Sequence, residues 1–205
     1  MTNCLFFGDS ITYGEYDGVY GGWVDLLKRY CHSKYKEGAN EVNIFNLGIG
    51  GETTFGLLKR LPIELEARKS PNKNVVFIAY GANDLAYINN KPNTYPNQFE
   101  QNIQKAISIV KEITSIVYLL NILPIANAFD GVETSTGKIR KSEDIIAFNQ
   151  IINDVANQNN VQYIDTYSIF FSNKEQLLSN DGIHPNEHGY VLISEIIKPI
   201  IENYL

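Results

Sequence analysis

Three side chains stand where they could carry out nucleophilic chemistry. Ser10 follows a short apolar run, and a tight turn at that point would hold its hydroxyl above the edge of a sheet. Near the other end of the chain, Asp181 comes three residues before His184. A carboxylate at that spacing can orient the imidazole, which then acts as the base for a serine hydroxyl. These residue types predict acyl transfer, although a serine at such a turn is also a common helix cap.

Two further loops hold groups that could stabilise a negatively charged oxygen. Gly48, Gly50 and Gly51 lie in the segment 46–54, where a backbone without side chains can approach a ligand closely. Asn83 follows another apolar run, and its amide can donate a hydrogen bond to a developing oxyanion. Glycine and asparagine are also frequent in turns with positive φ, so each loop read alone keeps a purely structural interpretation.

All of these residues follow short apolar runs, which predict the elements that must position them. The runs are rich in Val, Ile, Phe and Tyr, and they are continuously apolar, as is typical of a parallel sheet covered by helices on both faces. The predicted strands span residues 4–7, 42–47, 75–80, 116–120 and 161–164. The predicted helices span residues 23–30, 53–68, 98–113, 143–157 and 185–201, the last beginning at Pro185. The polar segment 89–97 is expected to be a loop.

Strands and helices alternate along the chain, so the predicted fold class is α/β. We expect a three-layer α/β/α sandwich around a five-stranded parallel sheet with flavodoxin-like strand order. Ligand sites in such sheets form in the loops beyond the carboxyl ends of the strands, and the four polar loops would therefore meet at one edge. A chain of 205 residues can bury a sizeable core, and a single domain over residues 1–205 is expected.

The four loops resemble, in order, the four sequence blocks of the SGNH hydrolases, also called GDSL-type lipases and esterases. The resemblance runs from position 8 to position 185, with Ile11 where the family's name has leucine. It implies the SGNH hydrolase fold and the hydrolysis of carboxylic esters. It also implies that Ser10 is the nucleophile, that His184 is the general base and that Asp181 holds His184 in the productive tautomer.

The same resemblance implies an oxyanion hole. Its donors would be the N–H groups of Ser10 and Gly51 and the side chain of Asn83. The alignment favours Gly51 and leaves Gly48 and Gly50 as alternatives. These donors would surround the oxygen that becomes negatively charged when an ester carbonyl is attacked.

The remaining motif residues and the substrate are also matters of resemblance. Asp9 and Asp84 belong to the motifs, and we expect them to hold the loops in place. The expected substrate is a small-molecule carboxylic ester with a short or medium acyl chain. Acetylated carbohydrates and acyl-thioesters are alternatives that the same mechanism would cleave. Neither a cofactor nor a metal is expected.

A zinc site is one alternative that the same residues allow. His184 and His188 flank Glu187 in an H-x-x-E-H string, which occurs in zinc peptidases, and Asp181 could be a third ligand. Against this, Pro185 would put His184 at the edge of the helix rather than inside it. The zinc alternative also leaves the other three loops unexplained.

A flavodoxin-like phosphate-binding module is a second alternative. In that case Ser10, Thr12 and the glycine-containing loop would cradle the phosphate. This alternative uses the same fold, but it gives Asp181 and His184 no role.

Composition and charge narrow the range of partners. The chain has 17 basic and 23 acidic residues, a net charge of −6, and its scattered basic residues disfavour nucleic acid. No apolar run approaches the ~18 residues of a membrane span, and no secretory signal is visible. Only two cysteines, Cys4 and Cys31, are present, so no disulfide framework is expected. A cytoplasmic location is the expectation, and a homo-oligomer is left open.

Overall fold

Eight strands form two sheets in the computed structural model, which describes residues 1–205. In chain order they are β1 (Thr2–Gly8), β2 (Val42–Gly48), β3 (Lys73–Ala79), β4 (Tyr87–Ile88), β5 (Lys91–Pro92), β6 (Val117–Leu120), β7 (Lys138–Ile139) and β8 (Gln162–Ile164). The central sheet has the order β2-β1-β3-β6-β8, and all of its pairs are parallel. The predicted five-stranded parallel sheet and its flavodoxin-like order are confirmed.

Helices cover both faces of this sheet. They are α1 (Ser10–Tyr13), α2 (Trp23–Lys36), α3 (Thr54–Arg68), α4 (Pro96–Lys111), α5 (Ser142–Asn159), α6 (Tyr167–Phe171), α7 (Lys174–Leu177) and α8 (Glu187–Glu202). The helix predicted to end at Tyr30 continues to Lys36 because Cys31 extends the buried stripe begun by Trp23 and Leu27. No helix is both long enough and apolar enough to cross a membrane.

The buried side chains form two clusters, one on each face of the sheet. The cluster under α2 and α8 contains Phe6 and Phe77, whose rings stack with their centroids 4.4 Å apart. The cluster under α3, α4 and α5 is larger and contains Leu5 and Phe7 of the same strand, β1. Alternate residues of β1 therefore contribute to opposite cores, which explains why residues 4–7 are continuously apolar.

The strand register sets the level at which the loops leave the sheet. Gly8 at the end of β1 pairs with Gly48 of β2 and with Ala79 of β3. The loops after these three strands therefore start side by side at one edge.

The start of α8 differs from the prediction. Asn186, rather than Pro185, ends the preceding loop, because its side-chain oxygen accepts hydrogen bonds from the N–H groups of His188 and Gly189, both at 3.0 Å. Pro185 instead forms an isolated bridge with Leu178. His184 consequently lies outside the helix that contains His188.

A small second sheet lies where the prediction had only loops. It has the order β5-β4-β7, and its pairs are antiparallel. Asn89 and Asn90 form a two-residue turn between β4 and β5 with φ values of 52° and 60°. The prediction of a loop over 89–97 was wrong at β5 and at the start of α4. Strands of two residues have no hydrophobic period that a sequence pattern could show.

Candidate active site

Ser10, His184 and Asp181 form one continuous hydrogen-bonded series. Ser10 is the first residue of α1, directly beyond the end of β1. Its Oγ lies 2.7 Å from Nε2 of His184, and Nδ1 of His184 lies 2.5 Å from Oδ2 of Asp181. In this geometry His184 can accept the hydroxyl proton of Ser10 while Asp181 holds the ring.

The carboxylate of Asp181 is held in its charged form. Burial is the largest single influence and would raise its pKa, but the hydrogen bonds that Asp181 accepts together outweigh burial and lower the pKa well below the ordinary value of 3.8. The strongest of them is the bond from the His184 ring, and the backbone N–H groups of Ile183 and His184 and the hydroxyl of Ser179 donate to Oδ1. Asp181 is therefore ionised at neutral pH and can stabilise a protonated His184.

Asp9 caps the short helix that carries Ser10. Its Oδ1 accepts from the N–H of Ile11 at 3.0 Å. Burial raises the pKa of Asp9 to about 6, against the lowering effects of the Ile11 N–H and of the charges on His184 and Arg140. Its second oxygen, Oδ2, lies 3.3 Å from Nδ2 of Asn83, so Asp9 connects the loops after β1 and β3.

The glycine loop offers two free N–H groups. The N–H of Gly48 donates to the side chain of Asn46 at 3.1 Å and is therefore occupied. The N–H groups of Gly50 and Gly51 make no hydrogen bond within the protein, and both residues line the cavity that contains Ser10. Ser10 itself is at the first position of a helix, where the N–H has no intrahelical acceptor.

The amide of Asn83 is buried and held from both sides. Its nitrogen contacts Asp9 Oδ2 and the carbonyl oxygen of Glu52, both at 3.3 Å. Its oxygen accepts from Nζ of Lys138 at 2.9 Å and from Nη2 of Arg140 at 3.2 Å. The nitrogen thus faces the loops after β1 and β2, where Ser10 and the glycines lie.

The sequence did not single out Lys138 and Arg140 as site residues. β7 pairs with β4 in the small sheet and so brings Lys138 to the cavity. Arg140 is buried, and its Nε donates to the carbonyl of Ala82 at 2.7 Å. The only sequence signal is two basic residues two positions apart in a long polar connection, which is too common a pattern to predict a site.

A second, largely buried network fixes the base of the glycine loop. Arg60 of α3 donates to both carboxylate oxygens of Glu52, to the carbonyl of Leu47 at 2.6 Å and to the hydroxyl of Tyr80 at 2.8 Å. The Tyr80 hydroxyl in turn donates to Glu52 at 2.6 Å. The side chains of Arg60 and Glu52 are only 15% and 10% exposed. The sequence did not predict this network either, because Glu52, Arg60 and Tyr80 are far apart in the chain.

Asp84 joins the loop after β3 to α3. Its carboxylate accepts from the N–H of Thr54 at 3.1 Å and from the Thr54 hydroxyl at 2.5 Å. Asn102 of α4 donates to the same hydroxyl at 2.9 Å. Burial raises the pKa of Asp84, while the hydrogen bonds from Thr54 oppose that rise. The contacts place Asp84 behind Asn83, away from Ser10.

The cavity around Ser10 is lined mainly by polar residues. Its volume is about 340 Å³, and only four of its sixteen lining residues are hydrophobic. A much smaller and mainly apolar recess of about 10 Å³ shares Ile11, Ala82, Arg140 and Ile183 with it. Tyr16, which is 67% exposed, lies at the mouth with its ring edge-to-face with His184 at 5.1 Å.

The two alternative sites fit this geometry poorly. Both ring nitrogens of His184 are engaged, one by Ser10 and one by Asp181, and no group of three His, Cys, Asp or Glu side chains is placed to hold a metal ion. A phosphate cradle at Ser10 would give no role to the hydrogen-bonded series of Ser10, His184 and Asp181. Fold and site together are those of a hydrolase that acts on acyl compounds.

Comparison with known proteins identifies the family. The profile of the GDSL-like lipase/acylhydrolase family matches residues 6–192. The chain belongs to this family, and it is a carboxylic ester hydrolase. The resemblance inferred from the four loops is confirmed.

Two curated relatives match nearly the whole chain. The spore germination lipase LipC of Bacillus licheniformis is 26% identical over 204 residues, covering 93% of this chain and 92% of the relative. An arylesterase of Vibrio mimicus is 27% identical over 201 residues, covering 98% of this chain and 88% of the relative.

Solved structures show the same fold. A lipase/acylhydrolase from Enterococcus faecalis is 28% identical with a TM-score of 0.77, covering 99% of this chain and 96% of that one. An acetylxylan esterase from Geobacillus stearothermophilus is 20% identical with a TM-score of 0.73, covering 97% of this chain and 93% of that one. At 20% identity, the likeness to the acetylxylan esterase shows a shared fold only.

Proposed function

We propose that this protein is a serine esterase that hydrolyses carboxylic esters of short acyl chains through an acyl-enzyme on Ser10. The hydrogen-bonded series from Ser10 through His184 to Asp181 is the main support for this proposal. It supplies a nucleophile, a base and an orienting carboxylate in one line, within hydrogen-bond reach of each other.

The first half of the reaction forms the acyl-enzyme. Oγ of Ser10 attacks the ester carbonyl carbon, and its proton passes to Nε2 of His184, whose charge Asp181 stabilises. The carbonyl oxygen becomes an oxyanion, which the N–H of Ser10, an N–H of Gly50 or Gly51 and Nδ2 of Asn83 would meet. One such donor is worth about 3 kcal/mol of barrier. The bond to the alcohol oxygen then breaks, and His184 returns the proton to the leaving alcohol.

The second half of the reaction restores the enzyme. Water attacks the acyl carbonyl, and His184 takes its proton. The oxyanion forms again at the same donors and collapses, breaking the bond to Oγ of Ser10. The carboxylic acid leaves, and Ser10 recovers its proton from His184.

The apolar recess beside Ser10 favours a short acyl group. Its volume of about 10 Å³, and that of about 30 Å³ in a neighbouring apolar recess that also shares Ile11 and Ala82 with the cavity, favour a methyl group over a long alkyl chain. A longer chain would have to lie along the polar wall of the main cavity and leave that wall desolvated without partners. Acetyl esters are therefore the preferred substrates in this proposal.

Acetylated carbohydrates are a second candidate, favoured by the polar alcohol side of the site. A groove of about 700 Å³ shares Glu15 and Tyr16 with the cavity around Ser10 and adds Tyr13 and Asp25. Aromatic faces and carboxylates are suited to the apolar faces and hydroxyl groups of a sugar. Thioesters have no comparable feature in their favour.

The test traps the intermediate and measures its preference. The protein is mixed with p-nitrophenyl acetate, quenched in acid and digested, and the peptide containing Ser10 is weighed. We expect the added mass of one acetyl group, its absence in Ser10→Ala, and a loss of turnover in that variant on the order of 10⁴-fold or more. Ser33→Ala, at an exposed position of α2, is the matched control.

A series of p-nitrophenyl esters from acetate to palmitate completes the experiment. We expect kcat/KM to fall as the chain lengthens, and acetylated sugars to be cleaved. Purified Ser10→Ala with full activity would refute the serine mechanism. A maximum at long chains would refute the short-acyl preference alone.

A further inference from the structure

We infer that Lys138 and Arg140 are positioning residues for the oxyanion step, acting through the side chain of Asn83. They fix which way its amide faces and strengthen its nitrogen as a donor. This inference rests on the proposed function, in which Nδ2 of Asn83 binds the oxyanion. In this inference neither Lys138 nor Arg140 contacts the substrate directly.

The orientation of the Asn83 side-chain amide supports this inference. The oxygen of Asn83 lies between two cationic donors, Nζ of Lys138 at 2.9 Å and Nη2 of Arg140 at 3.2 Å. A flipped amide would turn its NH₂ group toward both cations. It would also turn its oxygen toward Asp9 Oδ2 and the carbonyl of Glu52, which are both acceptors. Only one of the two orientations is satisfied, and it is the one that presents Nδ2 to the loops after β1 and β2.

The charges on the two sides of the Asn83 amide also support this inference. Asp9 lies 3.3 Å from Nδ2 of Asn83, so a charged Asp9 would repel an oxyanion bound there. Lys138 and Arg140 place positive charge on the other side of the same amide. Neither of them forms an ion pair with a carboxylate. Their charge is therefore free to offset Asp9 and to polarise the amide, which strengthens donation from its nitrogen.

Lys138 and Arg140 are themselves held firmly in place. Arg140 is buried and also donates to the carbonyl of Ala82, the residue before Asn83, at 2.7 Å. The carbonyl of Arg140 accepts from the N–H of Gly131 at 2.8 Å, and Lys138 pairs with Ile88 in the small sheet. The backbone and side chain of the Asn83 loop are thus fixed from one short segment of chain.

The experiment removes each charge and keeps an unbranched side chain of similar, slightly shorter length. Steady-state kinetics with p-nitrophenyl acetate compare Lys138→Met and Arg140→Met with the wild type. We expect kcat and kcat/KM to fall together on the order of tenfold, with KM nearly unchanged, because the interaction is made in the transition state. Lys138→Arg should recover most of the rate. Lys141→Met, which removes an exposed charge from the same segment, is the control and should match the wild type.

A double-mutant comparison separates positioning from direct binding. In an Asn83→Ala background, Lys138→Met and Arg140→Met should have no further effect beyond about twofold, because their path to the oxyanion is gone. Losses that multiply would show that the cations act on the substrate directly and would overturn the inference. Unchanged kcat in Lys138→Met, which removes only a half-buried side chain, would overturn it as well.

The outcomes also separate this inference from the proposed function. An active Ser10→Ala variant would refute the serine mechanism itself. An inactive Ser10→Ala variant together with a fully active Lys138→Met variant would refute only the positioning role. Thermal unfolding of Arg140→Met, whose replaced side chain is buried, shows whether its loss of rate comes from loss of folding.

Discussion

Asp9 and Asp181 lie close to the same serine and histidine, yet their environments push their pKa values apart. Asp181 receives hydrogen bonds from His184, Ile183 and Ser179, and its pKa falls well below the ordinary value despite burial. Asp9 is more deeply buried, and its pKa rises to about 6. Such a division of neighbouring carboxylates is common at sites of acid and base chemistry. It keeps one charge fixed beside His184 and makes the other titratable beside Asn83.

The raised pKa of Asp9 has a measurable consequence for stability. The folded-state pKa of about 6 exceeds the ordinary 3.8, so the folded protein binds this proton more tightly than the unfolded chain. The resulting stabilisation is complete below about pH 4 and is lost as the pH rises through 6. Asp9→Asn keeps a capping oxygen but cannot ionise. We expect its free energy of unfolding, relative to wild type, to rise by up to about 3 kcal/mol between pH 4 and pH 7.

Urea unfolding at four pH values measures this difference. Asp154→Asn, at an exposed position of α5, is the matched control. A difference between Asp9→Asn and wild type that stays constant from pH 4 to pH 7 would contradict the pKa shift of Asp9. A difference in unfolding free energy that is the same at every pH reflects the new contact, because the amide nitrogen introduced by Asp9→Asn faces Nδ2 of Asn83. Only the change with pH reports the pKa of Asp9.

At the scale of single residues, the sequence indicates some parts of the site much better than others. Ser10 and Asn83 each follow a predicted strand in a short motif, and Asp181 and His184 share a third motif, so their positions could be inferred together. Lys138 and Arg140 reach the site through a strand of two residues, which leaves no pattern. The choice among the glycines also needed the structure, because only hydrogen bonding separates Gly48 from its neighbours.

At the scale of elements, α3 supports the glycine loop through one largely buried side chain, that of Arg60. Arg60→Met would remove the partner of Glu52, a carboxylate only 10% exposed, and leave its charge in a nearly dry environment. We expect a loss of about 3 kcal/mol in the free energy of unfolding, measured in urea. A lower kcat should accompany it, because the loop that carries Gly50 and Gly51 loses its anchor.

Arg68→Met is the matched control on the same helix. Arg68 pairs with Glu64, but their side chains are 32% and 25% exposed, so solvent screens the pair. We expect this variant to lose less than about 1 kcal/mol. Equal losses of unfolding free energy in Arg60→Met and Arg68→Met would mean that the contacts of Arg60 stabilise the fold no more than a solvent-screened ion pair does.

The elements that were predicted well share a physical property. The inner strands β1 and β3 are buried on both faces, which makes each of them a continuous apolar run over most of its length. The small sheet is not buried in this way, and its strands were missed. The start of α8 was misplaced because Pro185 is favoured at a helix start, whereas Asn186 satisfies two backbone N–H groups and therefore decides the boundary.

At the scale of the whole molecule, the two cores depend on the same strand. Leu5 and Phe7 belong to one cluster, while Cys4 and Phe6 belong to the other. We therefore expect residues 1–205 to unfold as one domain in a single transition. The fluorescence of Trp23, the only tryptophan, should give the same midpoint as far-ultraviolet circular dichroism.

A substitution on the opposite face tests this coupling. Phe99 is fully buried against α3 and α5, on the side of the sheet away from Trp23. Phe99→Ala should lower both midpoints equally, since large-to-small changes of this kind cost about 3–5 kcal/mol. Separate midpoints would contradict the prediction of a single domain.

The long sequence distance between Ser10 and His184 bears on how the protein is made. The two side chains meet across 174 positions, so a ribosome that has finished β1 must still add most of the chain before a base can reach the serine. A nascent or prematurely terminated chain carries the serine without the histidine. In the proposed mechanism, ester hydrolysis therefore requires chains translated past residue 184, and a simple colour assay would distinguish them from shorter products.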